Sequence, residues 1–302
     1  MKTNVTFPSN GLNLAGHLYT PDDHDGGRLP AVVVGHPFTG VKEQTAGLYA
    51  QRLAEQGFIA LAYDAAYGGG SEGEPRGLEN PFQRAEDVKA AVSYLSTRDD
   101  VDPERIGALG VCASGGYVPF AAQSEHRIKA VATVSAVDTT SLVRDGVGRT
   151  DDGSAFRGML EQAGALRTQE ALGKPTVLVS ALPDAVDPSM PTLYQECFDY
   201  YRTSRGRHPR STNQWVMRSV DQMAPYDSYA MIDAISPRPL LMIVGSEADT
   251  AYFSREAIAK ASEPKEFFVI DGATHVDLYD KDEYVTPAIA KLADFFARNL
   301  PA

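Results

Sequence analysis

The sequence predicts an α/β protein: a mostly parallel central sheet with helices on both faces. Three observations carry this. Its short β-branched runs are continuous rather than alternating, the pattern of strands buried on both faces. Most are followed by a stretch with apolar residues at helical spacing, as parallel strands joined by helical crossovers require. One long segment, about 138–236, breaks that rhythm and reads as an insertion between two core strands.

Residues 1–20 alternate through Val5, Phe7, Leu12 and Leu14, which predicts an antiparallel hairpin on the sheet edge. Residues 31–35 (AVVVG) predict a strand, 44–57 a helix, and 58–63 (FIALAY) the next strand. A second helix is expected over 82–97, with Ala85, Val88, Ala91, Val92 and Leu95 on its inner side. Residues 106–111 (IGALGV) and 129–135 (KAVATVS) predict two further strands, with a helical stretch from Tyr117 between them. After the insertion come PLLMIVG at 239–245, EFFVID at 266–271 and a last helix over about 284–299. The insertion is polar and rich in Arg, Gln, Asp and Tyr, with helical patches at 155–171 and 191–203 and a short strand at 176–180. It is expected to be a cap over the active site, within a single domain of residues 1–302. The basic run 203–210 reads as a solvated loop.

Composition narrows the class. With 302 residues, 43% hydrophobic and 23% charged, the chain is ordinary for a globular protein rather than a disordered one. The net charge of −12 repels phosphate backbones, which argues against a nucleic-acid partner. Two cysteines, Cys112 and Cys197, supply neither a disulfide framework nor a Cys-rich zinc site. The polar N-terminus lacks the apolar core of a signal peptide, and no run of apolar residues is long enough to span a membrane. A cytoplasmic protein with no membrane partner is expected.

The most informative stretch is Gly110-Val111-Cys112-Ala113-Ser114-Gly115-Gly116, a buried strand running through small residues into a helix. It resembles the nucleophile elbow of the α/β-hydrolase superfamily, G-x-nucleophile-x-G, where small neighbours make room for a sharp strand-to-helix turn. Cys112 takes the nucleophile position. Ser114 is the rival, but the pattern centred on it would need a glycine at 112. A small buried residue in a catalytically silent fold is the structural alternative for Cys112, and a core or lid residue is the preferred reading of Cys197.

The resemblance implies the order nucleophile, acid, histidine. His275 follows the last core strand and a Gly turn, as the general base should. The acid should follow the preceding strand, in Gly245-Ser-Glu247-Ala-Asp249-Thr250. The usual spacing falls on Ala248, so the acid is left between Asp249, preferred, and Glu247, with Asp277 third or no acid at all. The oxyanion hole is expected from the backbone N–H groups of Phe38 and Ala113, with His36 orienting the loop. A thiolate beside a histidine and at a helix N-terminus is expected to have a lowered pKa.

The chain also resembles a narrower group, the dienelactone-hydrolase-like bacterial hydrolases and the related fungal polyketide transferases. The carriers are HPFTGVKEQTA at 36–46, Tyr63-Asp64 with Gly68-Gly69-Gly70-Ser71-Glu72-Gly73, Arg76-Gly-Leu-Glu79-Asn80-Pro81 with Arg84-Ala-Glu-Asp87, VCASGGY at 111–117, and His275-Val-Asp-Leu-Tyr279. It implies a hydrolase of ester, lactone or thioester bonds that works through a thioester acyl-enzyme. The alternatives are an acyltransferase or cyclase using the same site, and a non-catalytic ligand-binding member. Asp64, Glu86 and the other charges around the second loop read mainly as ion pairs, with Glu79 or Arg76 bordering the pocket. No cofactor and no metal is implied, since H-E-x-x-H, P-loop and dinucleotide motifs are absent. The expected partner is a small-molecule substrate, of medium to large size given Tyr194, Phe198, Tyr200, Tyr201, Trp215, Tyr226 and Tyr229 in the insertion, with a homodimer left open.

Overall fold

The computed structural model describes residues 1–22 and 26–301. Eight strands form one sheet: β1 (Lys2–Ser9), β2 (Leu12–Tyr19), β3 (Leu29–Gly35), β4 (Ile59–Tyr63), β5 (Val101–Val111), β6 (Ile128–Val134), β9 (Leu240–Gly245) and β10 (Lys265–Ile270). Their order is β1-β2-β4-β3-β5-β6-β9-β10. The β1–β2 hairpin is antiparallel and lies at the edge, and β2 meets β4 antiparallel. All other pairings are parallel. β1 keeps one face in solvent, whereas β4 and β9 are buried throughout, as continuous apolar strands between two helical layers must be.

On one face lie α1 (Thr45–Glu55) and α10 (Asp282–Asn299), on the other α2 (Pro81–Ser96), α3 (Ser114–Ala122) and α8 (Ala251–Lys260). Val285, Ala288, Ile289, Leu292, Phe295 and Phe296 form the buried stripe of α10, at the spacing that puts one helical face on the sheet. α2 starts where it does because the Asn80 side chain accepts from the N–H groups of Phe82 and Gln83, with Pro81 at the first helical position.

Between β6 and β9 run α4 (Thr139–Asp145), α5 (Ser154–Ala171), β7 (Leu178–Ser180), α6 (Thr192–Arg202), β8 (Gln214–Val216) and α7 (Val220–Met223). β7 and β8 pair only with each other. Phe156, Leu166, Trp215, Met217, Val220 and Met223 form a small core within this segment. α6 sends Leu193, Cys197, Tyr200 and Tyr201 into the main core instead. Two arginines of the basic run after α6 are ion-paired: Arg205 binds Asp280 at 2.6 Å and Asp199 at 3.1 Å, and Arg210 pairs with Glu43. No helix among the described residues is long and apolar enough to cross a membrane.

Candidate active site

All the candidate residues follow the carboxyl ends of parallel strands, where open α/β sheets bind ligands. β3 leads to His36 and Phe38, β5 to Cys112, β9 to Asp249 and Thr250, and β10 to His275.

Cys112 sits at φ 55°. That left-handed conformation costs a non-glycine residue on the order of 1–3 kcal/mol and persists only where the surroundings over-determine it. Here its N–H donates to Val134 O at 3.0 Å, and its carbonyl accepts from Gly115 N at 2.8 Å and Val137 N at 3.0 Å. The small neighbours are obligatory. A Cβ on Gly110 would lie 2.0 Å from the Ser114 carbonyl oxygen, and one on Gly115 would lie 2.5 Å from the Ala136 Cα.

Ser114 is buried and committed elsewhere. Its Oγ donates to His36 O at 2.6 Å and accepts from Arg84 at 3.4 Å. It is a strut between the elbow and the loop after β3. The His36 ring fixes that same loop: Nε2 accepts from Ala65 N at 3.1 Å, and Nδ1 lies 2.7 Å from Pro37 O. Burial and the adjacent Arg84 push the His36 pKa well below its ordinary value, so the ring is neutral.

The backbone N–H groups of Phe38 and Ala113 and the hydroxyl of Tyr279 lie around the Cys112 sulfur and favour its ionised form. Burial nonetheless outweighs them and raises the thiol pKa. The expected lowering is therefore reversed in the resting site, and Cys112 is a neutral thiol near pH 7. His275, fully buried, is pushed down to about 3 by the same desolvation and is a neutral imidazole.

The structure corrects the placement of the acid. Thr250 Oγ1, not a carboxylate, lies 2.6 Å from His275 Nδ1. Asp249 points the other way and accepts the Leu193 N–H at 2.9 Å, in the first turn of α6. A chain turned to present residue 250 inward presents 249 to the insertion. Glu247 is exposed and accepts from Ser246 Oγ at 3.0 Å. Asp277 accepts from Thr274 N at 3.2 Å and pairs with Lys281 at 2.6 Å, closing the turn after His275 rather than touching the ring.

Tyr279 carried no assigned role in the sequence. Its Oη lies 3.2 Å from His275 Nε2. The signal available was spacing: a residue four past a histidine returns to the same side of a helical turn, and Tyr279 lies in the short helix α9 (Asp277–Asp280).

Behind the loop after β3 lies a cavity of about 330 Å³ that Thr39, Arg76, Glu79, Arg84, Trp215 and Leu178 help to line. Phe38 packs edge-on against Trp215, with ring centroids 5.5 Å apart. Glu79 and Arg84 are both buried: Glu79 accepts from Tyr117 Oη at 2.6 Å and lies 3.6 Å from Arg84 Nε. Arg76 binds the carbonyls of Gly69 and Ser71, and Asp64 holds Lys42 at 2.7 Å. Of the insertion's rings, Tyr200 and Tyr201 pack on Tyr279, Tyr226 packs on Tyr117 and Phe120, and Trp215 faces the cavity. Among the described residues, no three His, Cys, Asp or Glu side chains are grouped to hold a metal.

Over residues 14–140 the chain matches the model of the Dienelactone hydrolase family. It is 37% identical to protein YcjY of Escherichia coli K12, over 99% of this chain and 100% of that one. The crystal structure of hypothetical protein PA2218 from Pseudomonas aeruginosa, 38% identical, superposes with a TM-score of 0.94 over 99% of this chain and 94% of that one. A more distant relative, 25% identical over 88% of this chain and 87% of its own length, is the polyketide transferase ATR5 of Stachybotrys chlorohalonatus.

Proposed function

The chain belongs to the dienelactone hydrolase family and has the α/β-hydrolase fold, and from that premise we propose that it cleaves ester, lactone or thioester bonds with Cys112 as nucleophile. It is an enzyme of the hydrolase or acyltransferase type. One observation carries the reading. The Cys112 sulfur is held at a positive-φ elbow with the N–H groups of Phe38 and Ala113 beside it.

The chemistry follows from that placement. The thiol proton passes to His275, and the sulfur attacks the substrate carbonyl carbon. The developing oxyanion takes the two fixed N–H donors, typically the largest catalytic contribution in acyl transfer. The carbon–heteroatom bond breaks, the leaving group takes the proton from His275, and a thioester remains on Cys112. Water or another acceptor then gives its proton to His275 and attacks the thioester, and the carbon–sulfur bond breaks to restore the thiol. Thr250 orients the imidazole where a carboxylate was expected. Residues 138–236 act as a cap over this centre, and the cap's aromatic rings suit a medium-to-large substrate rather than an acetate-sized one. The cavity of about 330 Å³ beside Trp215 borders the centre through His36 and is not itself lined by Cys112 or His275.

A second reading, transfer or cyclisation instead of hydrolysis, is supported by the complete burial of His275 and Tyr279, which leaves water little access. The test is intact-mass spectrometry after mixing with an activated thioester. An acyl adduct on the peptide bearing Cys112, absent from Cys112→Ala, is expected. An adduct on Ser114 that survives Cys112→Ala would sink the assignment. Partition of the acyl group between water and added alcohols or amines separates the two readings.

A further inference from the structure

We propose that Tyr279 is a third catalytic side chain, a hydroxyl bridge that carries the proton from Cys112 to His275. The inference rests on the reading of those two residues as nucleophile and base.

The geometry points to a bridge because the Tyr279 hydroxyl touches His275 Nε2 while Cys112 packs against the same buried cluster. Tyr279 Oη lies 3.2 Å from His275 Nε2, and Cys112 packs against the buried cluster to which Tyr279 belongs, close enough for the hydroxyl to favour the ionised sulfur. Tyr279 and His275 are fully buried, so bulk water does not reach Nε2, whereas Cys112 itself is half-buried. The phenol is also fixed in place. Its ring packs edge-on against Tyr200 at 5.2 Å and Tyr201 at 6.3 Å, both from α6, and against the His275 ring at 5.6 Å. One residue earlier, the Leu278 carbonyl accepts from Tyr49 Oη at 2.7 Å, which anchors the short helix to α1. A rigid donor within hydrogen-bond reach of the groups it serves is the geometric requirement for acid–base work.

One tautomer makes the whole chain of bonds consistent. His275 carries its proton on Nδ1 and donates it to Thr250 Oγ1 at 2.6 Å. Nε2 is then a free lone pair facing Tyr279 Oη. As the sulfur attacks, the S–H proton moves to Oη while the Oη–H proton moves to Nε2. The products are a sulfur bonded to the acyl carbon, an imidazolium and a neutral tyrosine. On collapse of the tetrahedral intermediate the Nε2 proton returns through Oη to the departing heteroatom. Tyr279 carries no net charge at either end of the step, so its burial costs the mechanism nothing.

The experiment is Tyr279→Phe, which keeps the ring and its edge contacts and removes only the hydroxyl. Two readouts are taken: the rate of Cys112 alkylation by iodoacetamide across pH 6–10, followed by mass, and kcat/KM on a p-nitrophenyl thioester. A bridge predicts slower alkylation near neutral pH, an alkylation midpoint displaced to higher pH, and kcat/KM lower by about 10–100-fold, within the usual range for a proton-transfer group. Alkylation and turnover at wild-type rate or faster would overturn it, since the hydroxyl would then only pack the site or block it. Proton inventory of single-turnover acylation by the unmodified protein gives a second test free of any folding defect. Two protons in flight bow the plot, and a straight line refutes the bridge. Failure of the underlying reading looks different: Cys112→Ala or His275→Ala would turn over normally while Tyr279→Phe still slowed alkylation.

Discussion

Replacing Thr250 with valine tests what orients the histidine. Valine keeps the shape of the side chain and deletes only the oxygen 2.6 Å from His275 Nδ1. Thr250 is 1% exposed and His275 0%, so water cannot replace that oxygen. A buried donor left without its partner costs about 1–3 kcal/mol. Part of that penalty falls on the resting neutral ring. More falls on the imidazolium formed during acylation, because a hydrogen bond from a charged group is roughly twice as strong. A differential of about 1–2 kcal/mol between the two states lowers kcat/KM by roughly 5–30-fold. Asp249→Ala provides the contrast. It removes the acceptor of the Leu193 N–H, and loss of a helix cap costs about 0.5–2 kcal/mol of stability. Turnover per folded molecule should stay near wild type. The assay is hydrolysis of a p-nitrophenyl ester by both variants, with urea unfolding of each in parallel. A loss of two or more orders of magnitude in Asp249→Ala, with Thr250→Val unaffected, would restore the carboxylate and refute this account.

Three further outcomes are expected. His275 is pushed to about 3 and His36 well below its ordinary value, so the unfolded chain binds protons near pH 6.5 that the folded chain refuses. Each ring contributes stability above pH 6.5 that is lost as pH falls, by up to about 1.4 kcal/mol per pH unit. Urea unfolding between pH 7 and 5 should show a shallower acid slope in His275→Gln, and an unchanged slope would contradict the buried neutral ring. Glu79→Ala leaves Arg84 buried without its carboxylate and should cost about 3–5 kcal/mol in the same assay; a loss below 1 kcal/mol would mean that water reaches the guanidinium. Across esters of increasing acyl length at a fixed leaving group, kcat/KM should peak above acetyl, because Trp215 from the insertion packs on Phe38 beside the nucleophile and offers apolar surface to a longer acyl chain. A steady fall from acetyl onward would rule out such an acyl pocket.

The parts of this protein legible in the sequence are those set by local rules. Continuous apolar runs such as 31–35 and 58–63 needed two helical layers, and the structure buries every residue of both runs. The alternation through Val5 and Phe7 placed the hairpin at the edge. The elbow was readable because it needs small residues at fixed offsets, and the clashes a Cβ would meet at Gly110 and Gly115 are the physical form of that rule. α8, by contrast, is not legible in the sequence: it follows the polar Glu247–Thr250 loop, and no side-chain cap marks its start.

What only the tertiary structure decided is direction. Asp249 and Thr250 are neighbours in sequence, and nothing local says which faces His275; the docking of α6 claims Asp249 and leaves Thr250 to the ring. The ionisation of Cys112 was also beyond local reading. A histidine and a helix N-terminus argue for a thiolate, but the burial that reverses the shift is built by the core cluster packed against Cys112, which gathers residues from distant parts of the chain. Spacing along a strand or helix repeats over two to four residues and can be read from the chain, whereas the environment of a buried charge is built by segments that meet only once the molecule has folded.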